Sequence, residues 1–233
     1  MRVSFSEIEV TLRKAALGAG IPLGLAEDFG RIGCWLAMRR VNPLPSGLAA
    51  LDAFDSENSG AGEVVGTKQE LTLASKAGQS VSALYAGSSA CDLLCVQHSA
   101  VQLRQVDAPL LVLVSAALAS GEHSLTIQVE LLSADRSTAV VCCDSGMVCT
   151  ELVVLEQFCS TFALDMRLEL AGSKHSRNGS VLLPATPPDE VFTEGASVDE
   201  AEWSRIQQYA KRMLVPASET SRAGAGAGEI DTD

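Results

Sequence analysis

Basic side chains are scarce in this 233-residue chain: 17 lysines and arginines stand against 29 aspartates and glutamates, a formal net charge of −12 at neutral pH. A general nucleic-acid binder needs a basic face to release counterions, and anionic lipid attracts the same kind of face, so neither nucleic acid nor a membrane is an expected partner. Long apolar runs are also missing. The longest, 108–119, contains Pro109 and Ser115 and covers 12 residues, against the roughly 20 needed to cross hydrocarbon. The segment Met1–Glu7 carries one arginine and then serines and an acid where a signal peptide would place its apolar region. No C-x-x-C pair occurs, and the seven cysteines, at 34, 91, 95, 142, 143, 149 and 159, are odd in number and irregular in spacing, which suits reduced thiols better than a disulfide framework. A cytoplasmic, soluble protein is expected.

Catalytic and nucleotide signatures are absent as well. None of His98, His123 and His175 lies in a nucleophile elbow or an H-E-x-x-H helix, and His123 follows Gly121-Glu122 at an expected turn. Gly18-Ala19-Gly20 follows a helical pattern, not a strand, and Gly224 to Gly228 lacks the G-K-[ST] ending of a phosphate loop. No cofactor is expected. Cys91, Cys95 and His98 would share a face if 89–99 is helical, and a cysteine from 142, 143 or 149 could then complete a tetrahedral zinc site. If the segment is a strand, His98 points away from the two thiols, which then read as core residues. No metal is assigned.

What is present is core: 47% of residues are apolar and 20% charged, enough at this length to bury roughly 70% of the unfolded surface. Ser6 and Glu9 form a capping-box pattern ahead of Phe5, Ile8, Leu12 and Ala15 at helical spacing. Leu25, Phe29, Ile32 and Leu36 make one stripe of a second helix over 23–40, opened by Glu27 and Asp28 and closed by Arg39 and Arg40 in agreement with the helix dipole. The two helices pair as a hairpin, with Gly30 and Gly33 placed for close backbone approach. Pro43 and Pro45 end the second helix, and 52–62 reads as an acidic linker. Farther on, Leu125, Ile127, Val129 and Leu131 alternate with polar residues, as do Phe162, Leu164, Met166, Leu168 and Leu170, predicting an antiparallel meander over about 120–183 with Asn178-Gly179 as a hairpin turn. Ser197 and Glu200 suggest the cap of a final helix over 198–214, with Trp203, Ile206, Ala210 and Met213 on one face.

The fold class is therefore α+β: an N-terminal helical hairpin, a mainly antiparallel central sheet and a C-terminal helix. One composite domain, 1–216, is expected, comprising the hairpin (1–50), a strand-rich part (69–183) and the last helix (197–215). A glycine-rich acidic tail (217–233) follows.

The opening, S-x-x-E-x-x-x-x-K-A-A-x-G-A-G followed by Gly24-Leu25-Ala26-Glu27, and the ending, V-P-A-S-E-x-S-R-A-G-A-G-A-G, resemble an uncharacterised bacterial family, one of the domains of unknown function. That resemblance implies a fold and an intracellular setting and supplies no catalytic residue. More weakly, the opening hairpin looks like the start of the malate, lactate and sulfolactate type of nicotinamide-dependent dehydrogenases that lack a Rossmann fold. There the second helix leads into an R-G-x-x-S-H-G segment whose histidine serves catalysis. The corresponding stretch here is Arg40-Val41-Asn42-Pro43-Leu44-Pro45-Ser46-Gly47, which has no histidine.

The tail either folds back over the globular part, with Arg222 pairing a carboxylate and Ser218 and Ser221 donating hydrogen bonds, or stays a solvated end. Two functional readings follow. The favoured one is a non-catalytic small-molecule-binding or accessory protein, since no constellation of reactive residues stands out. The alternative is an enzyme acting on a small anionic metabolite, with a site where the two termini meet. Its candidate residues are Glu7, Arg13, Lys14 and Glu27 from the first two helices and Ser218, Glu219, Ser221 and Arg222 from the tail. Apolar strand faces leave room for a homo-oligomer.

Overall fold

In the computed structural model, residues 1–67, 70–132, 137–143, 146–149, 154–159, 163–171 and 180–213 are described. The amino-terminal half runs β1 (Arg2–Val3), α1 (Phe5–Gly18), α2 (Leu23–Ala37), α3 (Leu44–Asp55), β2 (Ser59–Gly60), β3 (Glu63–Thr67), β4 (Glu70–Ala74), β5 (Ser80–Val81), α4 (Ala83–Gln97), β6 (Ala100–Val106) and α5 (Pro109–His123). The remainder runs β7 (Ile127–Leu132), β8 (Ser137–Cys143), β9 (Gly146–Cys149), α6 (Val154–Phe158), β10 (Leu164–Leu170), β11 (Ser180–Pro184), α7 (Val191–Glu194), β12 (Ala196–Ser197) and α8 (Glu200–Lys211).

The period-two segments become the sheet. Its path is β11-β9-β8-β7-β10-β6-β4-β3, with β2 and β5 joined beside β6. Pairing is antiparallel from β11 through to β6, as alternation with one polar face predicts. It turns parallel where β4 and β5 meet β6 and where β2 meets β5. Ile127, Val129, Leu131, Val140, Cys142, Met166 and Leu168 are buried, so the inward parity is the one the pattern gives.

Helices α4 and α5 lie on the sheet, and the N-terminal helices and α8 lie outside them, α2 touching both α4 and α5. This double cover explains α5: Leu110, Leu111, Val112, Leu113 and Val114 are all buried, because one side of the helix faces strands and the other faces helices. In α1 and α2 the hairpin closes at Gly30 and Gly33. A β-carbon at Gly30 would stand 2.6 Å from the Glu9 carbonyl oxygen, and one at Gly33 would overlap the Leu12 side chain.

Several local details differ from the sequence reading. The N-cap of α1 is Ser4, whose Oγ accepts from the Glu7 N–H at 3.2 Å, not Ser6. Asp199, not Ser197, caps α8, accepting from the N–H groups of Ala201 and Glu202, because Ser197 is committed to β12. Helix α2 stops at Ala37. Arg39 then turns inward, 9% exposed, stacks 3.6 Å over Trp35, and donates to the carbonyls of Trp35, Pro184 and Ala185, so it braces β11 and does not serve the helix dipole from solvent. Residues 44–55, expected as the end of the helical hairpin and the start of a linker, form α3. Asn178-Gly179, Phe162 and the tail 217–233 lie outside the described residues.

Candidate functional site

The first strand finds its partner near the other end of the described chain. Arg2 pairs with Ser197 and Val3 with Ala196 in antiparallel register, and Met1 and Val198 exchange N–H···O bonds of 2.9 and 3.0 Å. Helix α8 packs along α1. The short β1/β12 ribbon therefore lays Arg2 beside the turn that follows α2, and a cleft of about 260 Å³ opens between them. Its walls include Arg2, Arg40, Asn42, Val191, Glu194 and Ser197.

Each polar wall residue is fixed by local structure. The Arg2 guanidinium donates to the backbone carbonyl of Glu194 at 2.7 Å, and Arg40 lies 3.8 Å from the Glu194 carboxylate. Asn42 Oδ1 accepts from the Leu44 N–H at 3.1 Å, satisfying the start of α3, while its Nδ2 donates to Glu202 on α8 at 3.0 Å. Arg40 holds φ at +59°. A left-handed backbone on a non-glycine residue costs on the order of 1–3 kcal/mol and persists where the surroundings impose it. Here the imposing contacts are the Arg40 and Val41 N–H bonds back to Ala37 and Leu36, which also aim the Arg40 side chain at the cleft.

Among the described wall residues the charged ones are Arg2, Arg40 and Glu194, which sum to one positive charge on an acidic chain. Both side chains of the Arg40–Glu194 pair are more than half exposed, a setting in which an ion pair contributes about 0–1 kcal/mol and opens readily for a competing anion. The charged residues that meet in this cleft are not those expected from the sequence. Glu7 lies in the first turn of α1, Arg13 and Lys14 farther along it, and Glu27 on α2; none of the four lines a cavity among those described. Ser218, Glu219, Ser221 and Arg222 fall outside the described residues. Arg2, Arg40 and Glu194 carry no sequence motif. The one available signal was the R-x-x-x-x-x-S-G stretch at 40–47 flagged by the weaker resemblance.

A second hollow runs between α2, α4 and α5, where Arg31 pairs with Glu122 across its middle. Cys91, Cys95 and His123 line one part of it. Helix α4 does set Cys91 and Cys95 on one face, but His98 ends that helix with φ at +54° and stands outside the hollow. Burial pushes the Cys91 thiol up to about 12. Among the described residues no group of three His, Cys, Asp or Glu side chains is disposed to hold a metal ion, and no helix is long and apolar enough to cross a membrane.

The fold is similar to that of solved malate, lactate and sulfolactate dehydrogenase structures. Sulfolactate dehydrogenase from Methanocaldococcus jannaschii superposes with a TM-score of 0.56 at 7% identity, over 91% of this chain and 97% of that one. An E. coli protein assigned as a malate/lactate dehydrogenase gives 0.55 at 9% identity, over 97% and 99%. Delta1-piperideine-2-carboxylate reductase from Pseudomonas syringae pvar. tomato gives 0.51 at 10% identity, over 90% and 99%. At such identities the likeness is one of fold. In sequence, residues 3–82 match the model of a family described as a protein of unknown function, DUF3726. No curated protein matches the chain. The solved neighbours are dehydrogenases and a reductase, which overturns the expectation of a non-catalytic binding or accessory protein in favour of its alternative.

Proposed function

We propose that this chain is a cytoplasmic enzyme acting on a small anionic metabolite in the cleft between β1/β12 and the α2–α3 turn. The observation that carries the reading is the pair of arginines, Arg2 and Arg40, brought from positions 38 residues apart to one cleft. Guanidinium groups are donors matched to a carboxylate or phosphate. The Asn42 amide, already held by Leu44 and Glu202, adds a fixed polar edge. Glu194 is the one carboxylate among the described wall residues and is the group that can move a proton to or from a bound substrate.

The dehydrogenases of this fold type use a nicotinamide dinucleotide, and the residues here do not fit one in this cleft. Ser46 stands before Gly47, where the R-G-x-x-S-H-G segment has its histidine, and is 6% exposed on the inner side of α3. At about 260 Å³ the cleft lies below the roughly 300–1,000 Å³ of pockets that enclose drug-sized ligands. It suits a metabolite of a few carbons. No hydride step is assigned to it.

Calorimetric titration with a panel of small mono- and dicarboxylates and phosphate esters tests the reading. A binder is expected whose affinity falls at least tenfold in Arg40→Gln and in Arg2→Gln, given that a charge-assisted hydrogen bond is worth about 1.5–3 kcal/mol. Glu194→Gln should keep the binder and lose its turnover. Binding that is unchanged in both arginine variants would sink the proposal.

A further inference from the structure

Ion pairs that join separate elements of this chain close to hydrogen-bond contact. Arg104 meets Asp165 at 2.7 Å, Arg205 meets Asp52 and Arg212 meets Asp55 at 2.5 Å, and Arg31 bonds Glu122. Among the described residues Arg40–Glu194 is the exception, because at 3.8 Å it lies outside hydrogen-bond range. The backbone sets both ends of this gap. Arg40 holds φ at +59° in the turn after α2. Gly195, next to Glu194, holds φ at +68°, and a β-carbon there would stand 2.9 Å from the Val3 carbonyl oxygen. Arg2 reaches the same wall from β1, where the Glu194 carbonyl takes one N–H of a guanidinium that carries five.

Resting on the reading of this cleft as an anion site, we infer that its ligand is a short acidic α-amino acid, of the aspartate or glutamate class. Such a molecule carries two carboxylates and one ammonium, the inverse of the two guanidinium groups and one carboxylate of the described wall. Its single net negative charge balances the single net positive charge of Arg2, Arg40 and Glu194. An α-amino acid holds a carboxylate and an ammonium on one carbon, so it can enter the Arg40–Glu194 gap with the carboxylate on Arg40 and the ammonium on Glu194. One long ion pair is then replaced by two charge-assisted hydrogen bonds. The second carboxylate goes to Arg2, and a cleft of about 260 Å³ keeps the spacer between the two carboxylates short. A dicarboxylate without an amine puts no cation on Glu194. A neutral amino acid puts no anion on Arg2. Only the acidic amino acid matches all three wall charges.

Calorimetric titration of the full chain with aspartate, glutamate, their 2-hydroxy counterparts and alanine tests the assignment. The better of the two acidic amino acids is expected to bind at least about tenfold more tightly than its 2-hydroxy counterpart, which has a hydroxyl in place of the ammonium, and than alanine, which lacks the second carboxylate. In Glu194→Gln the amino acid and the hydroxy acid should bind alike, while the preference over alanine persists. In Arg2→Gln the acidic amino acid and alanine should bind alike. A folding defect would weaken every ligand together and could not erase one preference while sparing the other. A wild type that binds the hydroxy acid or alanine as tightly as the acidic amino acid overturns this inference and leaves the anion site standing, and so does a preference that survives its variant. No binding by any of these ligands overturns the inference, and silence of the simple carboxylates and phosphate esters as well removes the anion site with it.

Discussion

The backbone N–H of Ala83 donates to Oδ1 of Asp107 at 2.8 Å, in a setting where the aspartate is only 6% exposed. Asp107 thereby serves the start of α4 in place of Ser82, whose own side chain makes no cap bond. The Ser82 hydroxyl is buried without a hydrogen-bond partner among the described residues, and the Ser59 hydroxyl lies near the Asp107 carboxylate. Burial drives the Asp107 carboxyl up to about 6, against the opposing pull of the Ala83 amide.

Stability should follow this carboxyl with pH. The folded chain keeps the proton up to about pH 6, while the unfolded chain releases it near 3.8. Between these values the folded state binds more protons, so the contribution of the group is present at low pH and is lost as pH rises through 6. The difference is on the order of 3 kcal/mol. Asp107→Asn keeps an acceptor for Ala83 and removes the titration. Its melting temperature relative to wild type should therefore rise by several degrees between pH 4 and pH 7. An offset equal at both pH values would refute the assignment.

The seam between α1 and α8 makes a second prediction. A β-carbon at Gly18 would run into the Tyr209 carbonyl oxygen, and backbone cannot move aside as a side chain can. Gly18→Ala should destabilise the chain by about 1–3 kcal/mol, the usual range for overpacking. Gly121 on α5 has nothing within 4 Å of the same position, and Gly121→Ala should stabilise by up to about 1 kcal/mol through helix propensity. Urea denaturation of the two variants reads the opposite signs.

Tyr209 gives a spectroscopic handle on the same seam. Its hydroxyl donates to Asp52 Oδ1 at 2.9 Å, and Arg205 holds the other oxygen at 2.5 Å. Burial, with the Asp52 hydrogen bond and charge adding to it, pushes the phenol up to about 12. Asp52→Asn removes the negative charge, so the phenolate absorbance of Tyr209 should appear at distinctly lower pH in the variant. An unshifted alkaline titration would show that Asp52 does not act on the phenol.

The parts of the fold with a surface written into them could be read in advance. Helices α1, α2 and α8 each have one wet face, and the meander strands alternate, so period and parity were legible. Helix α5 was not, because burial on both sides erases the period and leaves only an apolar run containing Pro109. Helix α3 was hidden by Pro43 and Pro45, which look like terminators but stand at its N-cap and in its first turn, where a missing N–H does no harm. The cleft lay beyond reach for another reason. Strands of two residues have no periodicity, so nothing in the sequence joins Arg2 to Glu194 or turns Arg40 toward them. The residues that form the cleft are supplied by tertiary pairing.

The bond from Arg2 to the Glu194 carbonyl spans 192 residues of chain. On the ribosome, amino-terminal segments emerge first at roughly 5–20 residues per second, so the α1–α2 hairpin can assemble early through its local contacts. The cleft cannot. Until β12 has been synthesised, β1 has no partner and the cleft lacks one of its walls. A chain ending before residue 194 would lack the β12 side of the cleft altogether.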